Sequence, residues 1–177
     1  MAKRLLCSLA LLAFVLLPAC SKSAEQPSER EKLLTAKQAV VAEANMDYRT
    51  IERLVTEAAA EKVTPEQWEL MRRRAASANT PPMVFGKARQ RGTSLAVDWT
   101  RRSLVAGVMR RHGGTMTLTS RKDSPVVDFA IVSSSGRRSA GKVTLRAEDG
   151  LWRLYSISIG GKLLDYSPKG IAGRLRV

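Results

Sequence analysis

Residues 142–154 read Lys-Val-Thr-Leu-Arg-Ala-Glu-Asp-Gly-Leu-Trp-Arg-Leu. From Lys142 to Ala147 the side chains alternate, with Val143, Leu145 and Ala147 on one face and Lys142, Thr144 and Arg146 on the other. A period of two marks a strand with one buried face. Asp149-Gly150 is a turn signal, after which Leu151 to Ile159 takes up the strand pattern again. Working backwards, Val126 to Ser133 and Thr115 to Ser120 show the same pattern, separated by Asp123-Ser124-Pro125 and Ser135-Gly136. Four consecutive strands with turn-length connections predict an antiparallel meander and exclude a doubly wound sheet.

Upstream the period becomes helical. Leu33, Val40, Ala44, Tyr48, Ile51, Val55 and Ala58 recur at three- and four-residue steps, with Asn45 and Asp47 predicting a break between two helices. A further helix starts at Thr64-Pro65-Glu66-Gln67, where Thr64 caps, Pro65 suits the first helical position and Gln67 closes a capping box. In it Trp68, Met71 and Ala75 face inward and Arg72, Arg73 and Arg74 mostly outward, and Asn79-Thr80-Pro81-Pro82 ends it. Residues 83–94 read as a loop or short strand. Leu95 to His112 reads as a helix, with Val97, Leu104, Val105, Val108 and Met109 on one side. Gly113-Gly114 would stop that helix, and Arg110, Arg111 and His112 would complement its dipole. Helices first and a meander last define an α+β class.

The N-terminus has the layout of an export signal. Lys3 and Arg4 precede an uncharged apolar run from Leu5 to Leu17. The run falls short of the ~20 residues a bilayer-spanning helix needs. Leu17-Pro18-Ala19-Cys20 resembles the lipobox of bacterial lipoproteins, with Pro18 where Ala, Ser or Val is usual. The resemblance implies cleavage before Cys20, a diacylglycerol on its sulfur and an acylated amine. Ser21 after the cysteine implies an outer-membrane address. Cys7 lies in the leader, so Cys20 would be unpaired in a compartment where a free thiol is a liability, and acylation accounts for it. The plainer alternative is an ordinary cleaved signal with an incidental cysteine. The expected organisation is a leader at 1–19, a lipidated cysteine and flexible tether at 20–30, and one domain at 31–177 of ordinary single-domain size. Such a tether reaches ~17 Å, which keeps the domain close to the membrane.

The order of paired helices, a helix ending in Gly113-Gly114, and strands closing on Gly150-Leu151-Trp152-Arg153-Leu154 resembles the nuclear transport factor two-like, or cystatin-like, superfamily. That resemblance spans roughly residues 31–160. It implies N-terminal helices packed on a curved antiparallel sheet of about four strands, forming a cone with a cavity. In enzymes of the superfamily polar groups in the cavity do acid/base chemistry; in other members it binds a ligand or is filled.

Candidate residues follow from chemistry. Asp128 shares a face with Val126, Ala130 and Val132; on a concave face its pKa would rise toward that of a general base. On an outer face it would instead be solvated or paired with an arginine. Trp99, beside Asp98, and Tyr155 are candidate pocket residues, although an inward tryptophan is more often core than ligand contact. His112 is the single histidine and reads as a solvated helix end. No cluster has metal-ligand spacing, no phosphate loop or nucleophile motif is present, and no cofactor is implied.

The chain carries 30 basic and 16 acidic residues, a formal +14; loss of Lys3 and Arg4 leaves 28 against 16. Arg72, Arg73, Arg74, Arg101, Arg102, Arg110, Arg111, Arg137 and Arg138 could present a surface to a polyanion such as lipopolysaccharide, or simply solubilise the domain. They lack the interleaved aromatics of single-strand binders, so nucleic acid is not an expected partner. The expectation is a membrane-tethered periplasmic binding or accessory lipoprotein without its own catalysis, partnered by an envelope protein, small ligand or anionic polymer. The rivals are a cavity-carboxylate isomerase or dehydratase and a dedicated polyanion binder.

Overall fold

The computed structural model describes residues 27–78, 81–105 and 107–174. Within them the chain is α+β, with helices first and one antiparallel sheet after them. Four helices lead: α1 (Glu29–Ala44), α2 (Tyr48–Leu54), α3 (Glu57–Ala60) and α4 (Pro65–Ser77). Ser28 and Glu31 form a capping box that starts α1, and Thr64 and Gln67 form the one expected for α4, with Pro65 in its first turn. The break expected at Asn45–Asp47 is present. Met46 takes φ 53°, and Asp47 caps α2 by accepting from the Thr50 amide.

The strands are β1 (Met83–Arg91), β2 (Ser94–Val105), β3 (Val108–Ser120), β4 (Val126–Ser133), β5 (Arg138–Glu148), β6 (Leu151–Ile159) and β7 (Lys162–Asp165), followed by α5 (Pro168–Arg174). They pair in sequence order throughout, a meander of seven strands rather than about four. The four expected strands are all there, the first as the end of β3; β1 takes the strand alternative for residues 83–94, and β2 and β7 are additional.

The helix expected from Leu95 to His112 does not exist. It is a long hairpin in which Leu104 opposes Met109 and Val97 opposes Met116. Gly107 turns it at φ 77°. Leu95, Val97 and Trp99 are buried in alternation with exposed Asp98, which is the strand period. Gly113 and Gly114 therefore stop nothing. A Cβ on Gly114 would sit 1.9 Å from the Val132 carbonyl oxygen and 2.9 Å from Trp99 Nε1, so the residue permits close approach of β4 and the indole. With that helix gone, the cystatin-like resemblance loses one of the features it was drawn from.

One face of the sheet is covered by α1. Leu33, Ala36, Ala39 and Val40 pack with Leu95, Val97, Met116, Leu118, Val127, Phe129, Val143, Leu145, Leu154 and Ile157 in one buried cluster. The two edges of the sheet meet the same turn of α1. At the β1 edge, Met83 donates its amide to Asn45 Oδ1 at 2.7 Å and accepts from Asn45 Nδ2 at 2.9 Å. Just beyond β7, the Tyr166 hydroxyl donates to Glu43. Seven strands laid flat would span ~29 Å at about 4.8 Å per spacing, far more than residues 43 and 45 can bridge. The sheet is therefore curled around α1. Arg101 Nη2 donates to the Ala44 carbonyl at 3.1 Å and Arg153 Nη1 to the Arg53 carbonyl at 3.0 Å, so sheet arginines satisfy the C-terminal ends of α1 and α2.

Candidate functional site

The meander sorts its turns to two ends. The turns after β1, β3 and β5 lie at the end where α1 begins; those after β2, β4 and β6 lie where it finishes. At the first of these ends a cleft of about 690 Å³ opens between the start of α1, the β3–β4 turn and the β5–β6 hairpin.

Its base is built on Lys32. This side chain is only 1% exposed and sits on the apolar stripe of α1 beside Leu33 and Ala36. Its ammonium donates to Glu29 Oε1 at 2.6 Å, the Ser124 carbonyl at 2.9 Å and the Arg121 carbonyl at 3.2 Å, which uses all three protons. It also lies 5.4 Å from the Trp152 ring centre. Trp152 Nε1 donates to the Pro27 carbonyl at 3.1 Å, and the Ser120 hydroxyl donates to Glu29. Burial would raise the Glu29 pKa, but hydrogen bonds from Lys32 and Ser120 and the lysine charge outweigh it and hold the carboxyl below its ordinary value.

The outer wall depends on an irregularity in the β5–β6 ladder. Thr144 pairs with Ser156 but Leu145 with Leu154, so Tyr155 is the extra residue of a bulge. Leu154 and Ile157 are both buried despite their odd spacing, while Tyr155 joins Thr144, Leu145 and Trp152 in lining the cleft. Pro27, Pro125 and Ala147 complete an apolar wall, and Lys122, Asp123 and Arg146 stand at the rim. Among the described residues, neither Lys122 nor Arg146 has a carboxylate within ion-pair distance.

The other expected residues are dispersed. Asp128 lies on the face away from α1, beside Thr119 and Lys142 in the ladder, and pairs with Arg121 Nη2 at 3.2 Å. That is the outer-face alternative, and it leaves Asp128 outside the cleft. Trp99 is buried on the inner face opposite Gly114 and does not reach Tyr155's cleft. Its Nε1 is buried without a hydrogen-bond partner. His112 is on β3, not at a helix end, with Nε2 2.9 Å from the Ser103 hydroxyl. Arg72 pairs with Glu52 and Glu69, and Arg73 with Glu69, so two of the α4 arginines are committed locally; Arg74 shares their helix. Arg101, Arg102, Arg110, Arg111, Arg137 and Arg138 gather at the far end of the sheet. Cys20 lies outside the described residues.

Lys32, Trp152, Lys122 and Arg146 were not expected as site residues. Lys32 alone had a readable signal, a charge placed on an otherwise apolar helical stripe. No group of three or more metal-ligating side chains occurs among the described residues, and no helix among them is long and apolar enough to cross a membrane. No protein-family model matches the sequence, and no curated protein or solved structure matches it.

Proposed function

We propose that this chain is a membrane-tethered lipoprotein that binds, without transforming, an amphipathic ligand in the cleft at the start of α1. The observation that carries this reading is the cleft's position: Pro27, one of its walls, is seven residues after Cys20. Seven residues span at most ~25 Å, so an acylated Cys20 would hold the cleft beside the lipid surface. The wall of Trp152, Tyr155, Leu145 and prolines suits an apolar body, and Lys122 and Arg146 suit an anionic head.

Two placements favour binding over chemistry. Asp128 stands on the outer face with its arginine, and Glu29, the carboxylate at the base of the cleft, is held ionised by Lys32 and Ser120 rather than poised near neutrality. In this reading the curled sheet around α1 corresponds to the cystatin-like cone, with the ligand at its rim rather than in its filled interior. An outer-membrane, periplasm-facing address completes the proposal.

The test is mass analysis of the full-length protein purified from its native envelope, combined with titration of its tryptophan emission by lysophosphatidylglycerol. The expected result is a leaderless, acylated Cys20 and a saturable change that Ala147→Trp, which fills the cleft, abolishes. An unmodified thiol would remove the tether, and a response unaffected by Ala147→Trp would remove the ligand.

A further inference from the structure

The β2–β3 hairpin outgrows both neighbours. β1 pairs with β2 only as far as Arg101, and β4 pairs with β3 only from Gly114. Residues beyond those points form a two-stranded ribbon reaching ~14 Å past the sheet. Its tip carries Leu104, Val108 and Met109, exposed by 66%, 58% and 62%. These are three of the largest apolar exposures on the described surface. An isolated two-stranded ribbon is marginal in water, and apolar side chains at its tip add no stability there.

The ladder fixes which faces they occupy. Leu104 opposes Met109 on one face, two residues beyond the Arg102–Arg111 pair. Val108 lies on the other face, two residues beyond Arg110, which opposes Ser103. Both faces of the tip are therefore apolar, and both are backed by arginine. From Trp99 to Lys122 the sequence contains no acidic residue. The neighbouring β4–β5 turn, whose Ser134 amide donates to the Gly113 carbonyl at 2.7 Å, brings exposed Arg137 and Arg138 to the same end.

We infer that this hairpin docks on an anionic lipid surface by inserting its tip. A flat protein partner would cover one face of the ribbon and leave the other apolar face wet, whereas the bilayer interface surrounds both. Apolar segments in that interface sit ~5–10 Å deep. Arg110 and the Arg102–Arg111 pair stand one and two residues behind the tip, ~3–7 Å, which is the level of the lipid phosphates. The tip stands at the end of the sheet opposite the cleft, ~33 Å along β2 from Ser94 to Leu104, so a chain also tethered at Cys20 lies tilted along the lipid with both ends near it. The assignment itself does not rest on acylation of Cys20 or on the cleft.

The test uses the full chain carrying Met109→Trp, mixed with vesicles of phosphatidylcholine alone or with one third phosphatidylglycerol. Brominated acyl chains should quench the added tryptophan in the anionic vesicles and leave it bright in the zwitterionic ones. Arg102, Arg110 and Arg111 changed together to Gln should weaken that engagement about a hundredfold, at about fivefold per charge. High salt should act in the same direction. Equal quenching in both vesicles, or none in either, overturns the proposal. So does tight, arginine-dependent binding of a soluble polyphosphate by a tip that brominated lipid never reaches.

Discussion

The Lys32 ammonium lies 5.4 Å from the centre of the Trp152 ring while bonding Glu29 and two carbonyls of the β3–β4 turn. One cation thereby joins the first turn of α1 to two separate hairpins. Lys32→Met keeps the apolar stem but takes the ammonium from the Ser124 carbonyl, while the Arg121 carbonyl keeps the Ser124 amide at 3.3 Å. A part-buried acceptor left without its partner costs about 1–3 kcal/mol, so denaturant midpoints of the full chain should fall accordingly. Glu29→Gln should cost less, because Glu29 is about half exposed and solvent replaces part of what it loses.

The same residues set an acid limit. Glu29 has a folded-state pKa below its unfolded value, so its contribution is present above the ordinary carboxylate range and is lost as pH falls through the lowered value. Asp47, capping α2 through Thr50, behaves in the same sense. Stability measured by denaturation should be level near neutrality and decline below about pH 4.5. Glu29→Gln should flatten part of that decline; a variant with the parent's full acid dependence would contradict the assignment.

Gly114 distinguishes strand from helix by the sign of one substitution. In a helix interior, glycine to alanine gains about 1 kcal/mol. In the sheet, the new Cβ would meet the Val132 carbonyl at 1.9 Å and the Trp99 indole at 2.9 Å, with backbone as the first obstacle. Gly114→Ala should therefore destabilise by about 3 kcal/mol. Gly113→Ala, whose nearest contact would be 3.3 Å, should cost clearly less. Urea midpoints of the two variants settle the order.

That contrast shows where the sequence was legible. Local signals held: Thr64 and Gln67 cap α4, and Asp149-Gly150 turns at φ 50° and 74° as its dipeptide predicts. Leu104, Val105, Val108 and Met109 misled because they come from two strands across a two-residue connection. Their order in the chain, i, i+1, i+4 and i+5, imitates one face of a helix. Three of them, expected on one side of that helix, project exposed from the tip of the hairpin. The cleft was not readable for a different reason. Its walls come from residues 27–32, 122–125 and 144–155, and it opens only because a bulge at Tyr155 shifts the alternation that a period-two reading assumes.

The curl of the sheet can be tested at its edges. Asn45 holds both backbone groups of Met83, and Tyr166 reaches Glu43 two residues earlier, in the same turn of the helix. Asn45→Ala removes two hydrogen bonds across the β1 edge, worth about 1–3 kcal/mol together. Because β1 has no strand beyond it, that loss should be local. Amide exchange should accelerate through residues 83–91 while β4 and β5, central in the ladder, stay protected. Tyr166→Phe should act at the opposite edge, raising exchange in β7 and α5 and leaving β1 unchanged. A flat sheet held only by its core would show neither local effect, and the two variants would then exchange like the parent.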